Sequence, residues 1–527
     1  GDQYFKNVYT PVFQTKLEQY LYETISDRAA DVPYDQYCQP EFLNLYQRLL
    51  DNTAKNILQV WNSIGTLFGL VEAFVLILFY IGKVDWFAIV LSVLPLFYSY
   101  VVGAKGAKYR HEFNQALTFP TRKKEYAKRV FYLPQYAKEL RTTSVSQIVQ
   151  SIYEAGVSET IAICRKFGKK IGFLNFVELL ISDGLVIMLP IAYVVVRILT
   201  GHMLLIGDFI GIAQSITTFG WDLEWFFDEL IAIKEASLYI REYQEYCETY
   251  QKTETGDRHL DCSNGFELSF VDVGYSYQKG TDAKRALHDV NVTIRNGEVI
   301  AVVGENGAGK TTFTNLLSGL FVGKEGEILL NGTEISQYTK ADLTKFFGVI
   351  HQDFHLFQMS VRDNIRAGEE LSEEEIQNAV NQLEVRKKIR NLDQSISREF
   401  ADDGLVLSGG ESQQLMLARI IANRYPFVIL DEPTSALDPL TERKINRYVM
   451  QTLASPERTI LFISHRLFTT QLADRILVFD KGTIVEEGNH CELMEKKGHY
   501  YEMYQLQQKL YGQEEIESAK TENDRPE

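Results

Sequence analysis

A glycine-rich segment in the second half of the chain has the pattern of a phosphate-binding loop. GxxxxGK[ST] runs from Gly304 to Thr311, after the apolar run Glu298–Val303 and before the helical stretch Phe313–Leu320. Glycines let backbone N–H groups wrap closely around phosphates at a helix N-terminus, which favours anions. We therefore expect Lys310 to neutralise the β- and γ-phosphates of a nucleotide and the Thr311 hydroxyl to bind Mg²⁺. The residues expected to hold the phosphates are Gly304, Asn306, Gly307, Ala308, Gly309, Lys310, Thr311 and Thr312.

Two further apolar runs end in side chains that suit nucleotide hydrolysis. Phe427–Leu430 precedes Asp431 and Glu432, and Thr459–Ile463 precedes Ser464 and His465. We expect Asp431 to hold the Mg²⁺ shell and Glu432 to orient or deprotonate the attacking water. We expect His465 to contact the γ-phosphate. A lone Asp-Glu pair at a strand end, or a lone histidine, is usually structural, so these predictions depend on the P-loop.

A second pair of glycines lies between the P-loop and the carboxylates. Leu407–Glu411 reads Leu-Ser-Gly-Gly-Glu and precedes the helical run Gln413–Ala422, which predicts another helix start that could bind phosphate through Ser408, Gly409 and Gly410. From Phe266 onward, short β-branched runs alternate with helical stretches. This alternation predicts an α/β P-loop domain with a parallel or mixed sheet.

The first 230 residues contain four long apolar windows, each long enough to cross about 30 Å of hydrocarbon as a helix. Basic residues at 105–110 and 165–170 predict that these flanks face the cytoplasm. The polar, glycine-poor connections predict long cytoplasmic helical arms. Buried helices of a large soluble core are the alternative reading. The windows are Ile57–Ile81, Trp86–Ala104, Ile171–Val196 and Phe209 to about Glu229.

Composition excludes several classes of protein. The chain has 527 residues, 45% hydrophobic and 24% charged, which is ordinary globular usage rather than disorder. Its net charge of −16 disfavours a nucleic-acid partner. Five scattered cysteines without a CxxC pair predict reduced thiols. We expect a membrane domain at 1–245, a polar linker at 246–262, an ATPase domain at 263–511 and a disordered acidic tail at 512–527.

The ordered set of motifs resembles the nucleotide-binding domain of an ATP-binding cassette (ABC) transporter, an α/β P-loop ATPase with a helical subdomain. The resemblance implies ATP and Mg²⁺ as cofactors. It places Gln352 in the Q-loop as a catalytic and metal-contacting residue, and Leu407–Glu411 in the signature motif. It also makes Ser435–Asp438 the D-loop, His465 the switch histidine and Tyr277 the aromatic residue that stacks on adenine.

Membrane helices fused ahead of the cassette resemble the exporter class. The resemblance implies coupling helices, for which Pro33–Phe42 and Pro134–Arg141 are the candidates. It also implies a dimer with composite ATP sites, in which Lys310 of one protomer and Ser408 of another hold the same triphosphate. The second half-transporter could be identical or unlike. Two departures stand out: Glu411 replaces the commoner glutamine, and four predicted spans replace six, so we expect two helices upstream of Gly1 to be missing.

These observations predict an ATP-driven exporter in the cell membrane, multi-pass, with its ATPase domain in the cytoplasm. An ATP-gated channel or a regulatory partner subunit is the alternative, although such proteins more often lack Glu432 or His465. A soluble cassette ATPase of the translation or DNA-repair kind is disfavoured by the apolar windows and the acidic balance.

The predicted spans contain acidic residues but no lysine or arginine in their interiors. Ionisable groups in spans usually face protein or a water-filled cavity, so Glu72, Glu178 and Asp183 predict a cationic substrate such as a basic peptide. The alternative is that these carboxylates lie at the headgroup boundary or cap neighbouring helices.

Overall fold

The structure is a computed structural model, and the chain divides into two compact units. One comprises Gly1–Val32 and Gln36–Thr253, and the other Pro33–Asp35 and Glu254–Glu527. The structure describes residues 5–84, 86–133, 136–181, 185, 188–200, 206–250, 256–263, 265–277, 285–322, 324–397, 402–433, 453–464 and 467–509. The tail predicted at 512–527 lies outside these ranges.

The described residues up to Thr249 are mostly helical. A π-helical turn at Phe5–Tyr9 leads into α1, whose N-terminus contains Pro11, a residue that the first helical turn accepts because it needs no N–H donor. The helices are α1 (Thr10–Asp31), α2 (Tyr34–Tyr37), α3 (Pro40–Val84), α4 (Trp86–Tyr132), α5 (Ala137–Thr142), α6 (Val145–Leu179), α7 (Met188–Leu199) and α8 (Ile206–Thr249).

The four apolar windows fall on these long helices. The first, second and fourth lie within α3, α4 and α8, whereas the third is divided between α6 and α7. Across the ranges that the structure describes, none of the helices combines the length and the apolar character needed to span a bilayer. The candidate coupling segment Pro33–Phe42 contains α2 and the start of α3, and Ala137–Arg141 of the other candidate lies in α5. Pro134 lies outside the described residues.

The last helix of the first unit continues past the predicted domain boundary and packs on α1. Tyr246 of α8 is 1% exposed, and its hydroxyl donates a 2.9 Å hydrogen bond to the carbonyl oxygen of Ile25 in α1. The side chain of Arg28 donates to the carbonyl oxygens of Cys247 and Tyr250, the latter at 3.1 Å. These contacts satisfy carbonyls at the C-terminus of α8, where intrahelical partners are missing.

The second unit contains two sheets. A four-stranded antiparallel sheet has the order β2-β1-β4-β5, and a six-stranded sheet has the order β10-β9-β3-β8-β7-β6, parallel except for the β9–β10 pair. The strands are β1 (Glu267–Ser276), β2 (Arg285–Arg295), β3 (Val299–Gly304), β4 (Glu325–Leu330), β5 (Thr333–Glu334), β6 (Phe347–Ile350), β7 (Phe427–Asp431), β8 (Thr459–Ile463), β9 (Arg475–Asp480) and β10 (Thr483–Gly488).

Both faces of the six-stranded sheet are buried. Along β3, Ala301 and Val303 pack into one apolar core, while Ile300 and Val302 pack into the other. This alternation follows from the two-residue period of a strand and explains why the central strands read as unbroken apolar runs. The helices of this unit are α9 (Lys310–Leu317), α10 (Lys340–Phe346), α11 (Val361–Arg366), α12 (Glu373–Asn381), α13 (Gly409–Asn423) and α14 (His490–Lys496).

The parallel register places the predicted site residues at one edge of the sheet. Strands β3, β8, β7 and β6 are neighbours, so their carboxyl ends meet at the same edge. Gly304 ends β3, Asp431 ends β7, and Gln352 follows β6 by two residues. In an open parallel sheet, this edge is where ligands bind.

The packing of α8 on α1 generates a stability prediction. Tyr246→Ala removes a fully buried ring and its hydrogen bond, a change that typically costs about 3–5 kcal/mol. We expect the melting temperature of the purified full chain in detergent, measured by intrinsic fluorescence, to fall by on the order of 5–15 °C. Tyr22→Ala is the matched control, because Tyr22 is 59% exposed on α1. Equal shifts for both variants would contradict the packing described.

Candidate functional site

The P-loop is held in a conformation that only glycine accepts at key positions. Gly307 and Gly309 have φ angles of 80° and 104°, and Gly309 is the N-cap of α9. A Cβ atom on Gly309 would lie 2.7 Å from the Cδ2 atom of Leu287, and one on Gly304 would lie 2.3 Å from the carbonyl oxygen of Phe479. The loop therefore needs glycine for its turn and for its close approach to β2 and β9.

Lys310 occupies the centre of the loop as a buried cation. Lys310 is only 5% exposed. Its Nζ donates to the carbonyl oxygens of Gly304 at 2.8 Å and Glu305 at 2.9 Å. Burial lowers the pKa of Lys310, while the carboxylates of Glu432 and Asp431 act in the opposite direction. The ammonium group thus bridges the loop backbone and the acidic end of β7 electrostatically.

Asp431 is a buried carboxylate with a hydroxyl group beside it. The Thr311 hydroxyl lies 3.5 Å from the Oδ2 atom of Asp431. Burial, reinforced by the negative charge of Glu432, raises the pKa of Asp431 to about 6, and the charge of Asp353 adds to this shift. Mg²⁺ prefers such oxygen donors, and a divalent cation would relieve the crowding of negative charge, so Thr311 and Asp431 fit the predicted metal.

Glu432 lies directly after β7 with an unusual backbone conformation. Its φ angle of 49° is in the left-handed region, and its N–H donates a 3.2 Å hydrogen bond to the carbonyl oxygen of Ile463 at the end of β8. A non-glycine residue in this region is strained and is commonly associated with functional sites. The bond to β8 fixes the backbone of Glu432 at the sheet edge, directly after Asp431.

Tyr277 lies beside the P-loop with an accessible ring. The residue is 59% exposed, and its hydroxyl lies 2.8 Å from the Oγ1 atom of Thr312. Its ring packs edge-on against Phe321, with centroids 5.6 Å apart, and Phe321 stacks on Tyr275. The packed neighbours hold the Tyr277 ring beside the loop, and stacking on adenine stays a prediction.

The signature segment forms the N-terminus of α13. The Ser408 side chain accepts from the Glu411 N–H at 3.4 Å, and the Glu411 Oε2 accepts from the Ser408 N–H at 2.7 Å, which is a capping box. Gly409 and Gly410 form the first helical turn. Among the described residues, no hydrogen bond or ion pair joins this segment to the P-loop.

Lys388 is a participant that sequence reasoning missed. Its Nζ lies 2.8 Å from the Oε1 atom of Glu411, and this contact holds the pKa of Glu411 below its usual range. The pair neutralises the carboxylate that replaces the commoner glutamine. An acidic residue at that position was the signal for a nearby cation, but the sequence did not indicate which one.

The remaining predicted site residues are less constrained. Gln352 is exposed in the loop after β6, next to Asp353, whose charge acts on Asp431. Asn306 and Ala308 lie in the loop itself, and the Gly482 N–H donates to the Ala308 carbonyl oxygen at 3.0 Å. His465 and the D-loop Ser435–Asp438 lie outside the described residues.

Comparison with known proteins agrees with this geometry. Residues 287–435, which include the P-loop, the signature segment and Asp431–Glu432, match the protein family described as ABC transporter. This segment of the chain, which carries the nucleotide-binding motifs, is similar to the ABC transporter family. The resemblance inferred from the motifs is confirmed.

Two curated relatives match about half of the chain. The chain is 37% identical over 267 residues to an ATP-dependent lipid A-core flippase of Colwellia psychrerythraea, covering 49% of this chain and 44% of that protein. It is 36% identical over 256 residues to a glutathione/L-cysteine transport system ATP-binding/permease protein of Bacillus subtilis, covering 48% and 43%. The chain thus spans less than half the length of these two relatives.

A solved structure extends the likeness to the whole fold. The structure of a bacterial Atm1-family ABC exporter with ATP bound superposes with a TM-score of 0.78 at 22% identity, covering 95% of this chain and 86% of the other. The predicted fold class, a helical bundle joined to an α/β P-loop ATPase domain with a helical subdomain, is confirmed at the level of fold.

The capping box of α13 generates a prediction about Glu411. Glu411→Gln keeps an oxygen that accepts from the Ser408 N–H, so we expect ATP turnover within about twofold of the unmodified chain. Glu411→Ala keeps the N–H that the Ser408 hydroxyl accepts from but removes the carboxylate that accepts from the Ser408 N–H, so the Ser408 backbone is held less firmly and we expect turnover to fall at least fivefold.

Glu375→Ala is the matched control for this experiment. Ser372 and Glu375 form the same capping box at α12, which carries no predicted site residue. A similar loss of stability with unchanged turnover is expected for Glu375→Ala. If both alanine variants lowered turnover equally, the effect would be general destabilisation and the positioning role of Glu411 would be wrong.

Proposed function

We propose that this chain is one half of an ATP-driven exporter of the cell membrane, with its ATPase domain on the cytoplasmic side. The observation that carries the proposal is the buried Lys310 ammonium between the P-loop carbonyls and the carboxylates at the end of β7. This arrangement gives a polyphosphate a cationic contact and gives a water molecule a carboxylate, and both contribute to ATP hydrolysis.

ATP binding would exchange one set of Lys310 contacts for another. The carbonyl oxygens of Gly304 and Glu305 now accept from the Nζ atom, and phosphate oxygens would replace them. The N–H groups at the start of α9 would hold the same phosphates. The accessible ring of Tyr277 would stack on adenine. Mg²⁺, held by Thr311 and Asp431 with Gln352 nearby, would neutralise charge on the triphosphate.

Glu432 would act on the attacking water. Glu432 directly follows Asp431, the residue proposed to hold the metal, and therefore lies at the same sheet edge. A positioned carboxylate can orient a water molecule and accept its proton. His465 is proposed to contact the γ-phosphate, as the family resemblance implies.

A second half-transporter is proposed to complete each ATP site. At the capped N-terminus of α13, Ser408, Gly409 and Gly410 could donate hydrogen bonds to a phosphate group. Within the described part of this chain, this segment makes no hydrogen bond to the P-loop. We therefore propose, as the family resemblance implies, that Lys310 of one chain and Ser408 of another contact the same triphosphate, and the two chains are identical or unlike. An ATP-gated channel remains the alternative and would use the same site.

For the substrate class, we propose a lipid-like amphiphile rather than a cationic peptide. The Colwellia relative is named for a lipid substrate, although the Bacillus relative is named for glutathione and L-cysteine. The acidic residues that favoured a peptide give no support here. The side chains of Glu72 and Glu178, and all of Asp183, lie outside the part of the chain that the structure describes.

The central test of hydrolysis is Glu432→Gln. This change keeps the size of the side chain but removes the base, so ATP should bind and turnover should fall on the order of 10²–10⁴-fold. Phosphate release and equilibrium ATP binding should be measured on the purified full chain in lipid nanodiscs. Glu305→Gln is the control, because within the described residues Glu305 contacts Lys310 through its backbone carbonyl, which this change keeps. Turnover at the unmodified rate by Glu432→Gln would refute the assignment.

A mixed dimer tests whether the ATP site is composite. Lys310→Ala and Ser408→Arg chains, carrying different affinity tags, are co-expressed and purified through both tags. In a composite arrangement the mixed dimer retains one intact site, formed by the unmodified Lys310 and the unmodified Ser408 on different chains. We expect ATPase activity in the mixed dimer and none in either homodimer. An inactive mixed dimer alongside an active unmodified dimer would contradict the composite site.

A further inference from the structure

A cavity in the helical unit is lined by more basic than acidic residues, whereas the acidic residues of the apolar windows predicted an acidic lining. It has a volume of about 720 Å³ and lies between α4 and α8. The lining residues of α4 recur at intervals of three or four, so one face of that helix forms one wall. Its cationic lining residues are Lys105, Lys108, Lys234 and Arg241, and Glu112 is its acidic one.

Along α4 the apolar lining residues precede the charged ones, and Lys234 of α8 lies beside Tyr100, where the two kinds of residue meet. Tyr100, Val101 and Ala104 belong to the last part of the apolar window Trp86–Ala104, and Lys105 follows at once. The cavity is therefore amphipathic along α4, and its change from apolar to cationic coincides with the predicted end of a membrane span. A bilayer changes from hydrocarbon to headgroup at the same depth.

The lysines of the cavity differ from their neighbours in lacking acidic partners. Beside the cavity, Arg110 pairs with Glu235 at 2.8 Å. Within the described ranges, Lys105, Lys108 and Lys234 form no ion pair, and the Lys234 Nζ lies 5.9 Å from the ring centroid of Tyr100. Within the described ranges, these three lysines therefore line one concavity without an ion pair of their own, and Glu112 is the acidic residue beside them.

We propose that this cavity binds the anionic headgroup of an amphiphilic substrate, with Lys105, Lys108 and Lys234 as the contacts to phosphate or carboxylate oxygens. The apolar end of the cavity, at Tyr100, Val101 and Ala104, receives the first part of the hydrocarbon chain. Ammonium groups are effective point contacts for phosphate, and each adds attraction for an anionic lipid. The inference rests on the proposed function, because it names the substrate chemistry and its point of entry.

The competing explanation is the general enrichment of lysine and arginine on cytoplasmic flanks of spans. Such residues contact the anionic leaflet without forming a binding site. Arg165, Lys166 and Lys169 represent this class, since they flank the third apolar window on α6 and are exposed, as Lys105, Lys108 and Lys234 also are. The two groups have equal charge, which provides a matched comparison.

The test is equilibrium binding of a fluorescent phosphatidic acid to the purified full chain in uncharged detergent. One variant carries Lys105→Gln, Lys108→Gln and Lys234→Gln, and its control carries Arg165→Gln, Lys166→Gln and Lys169→Gln. The cavity variant should bind about 10- to 100-fold more weakly, as expected for three lysines near a charged surface, and the control within about twofold. Glu112→Gln should bind more tightly. Equal losses in both triple variants would overturn the proposal.

Competition experiments distinguish a site for a lipid headgroup from a site for a free phosphate anion. Unlabelled phosphatidic acid should displace the probe, whereas diacylglycerol, which lacks the phosphate, and glycerol 3-phosphate, which lacks the chains, should not at equal concentration. Displacement by glycerol 3-phosphate as effective as that by phosphatidic acid would show a free-anion site and refute the amphiphile. Basal ATPase activity is measured in parallel: its absence in the unmodified chain would count against the proposed function while leaving the binding result valid.

Discussion

The buried Lys310 ammonium is the interaction on which the nucleotide site depends. One cation, enclosed by backbone carbonyls, faces two carboxylates that the parallel sheet brings to the same edge. Neither charge type would be stable there alone, because burying an unpaired charge is costly. The glycines of the loop, the close approach of β9 and the strained backbone at Glu432 all serve to hold this group of charges. The site is therefore preorganised for a ligand that brings both negative charge and a divalent cation.

Much of this site could be predicted from sequence because it follows from strand order. A parallel sheet places the ends of β3, β7 and β6 together, so residues far apart in the chain become neighbours. The Lys388–Glu411 pair could not be predicted, because it depends on how a turn of the helical subdomain packs against α13. The cationic cavity was missed for the same reason. Its lysines lie about 130 residues apart on two helices, and only the packing of α4 on α8 brings them into one concavity.

The substrate prediction illustrates the limit of reading charge along a chain. Acidic residues inside apolar windows favoured a cationic substrate, whereas the described cavity is lined by more basic than acidic groups. Similarity to relatives does not identify the substrate either, since proteins that match this chain over about half its length are named for different substrates. The nucleotide site and the proposed substrate therefore need separate evidence, and the chemistry of each unit has to be read from its own side chains.

The central claim is that Lys310 exchanges backbone carbonyls for phosphate oxygens when ATP binds. An experimental structure of the full chain in a nanodisc with a nonhydrolysable ATP analogue tests this most directly. The account predicts that the Nζ atom leaves the carbonyl oxygens of Gly304 and Glu305, which now accept from it at 2.8 and 2.9 Å, and contacts the β- and γ-phosphates. An analogue bound elsewhere, or bound at the P-loop with both carbonyl contacts of Lys310 intact, would contradict it.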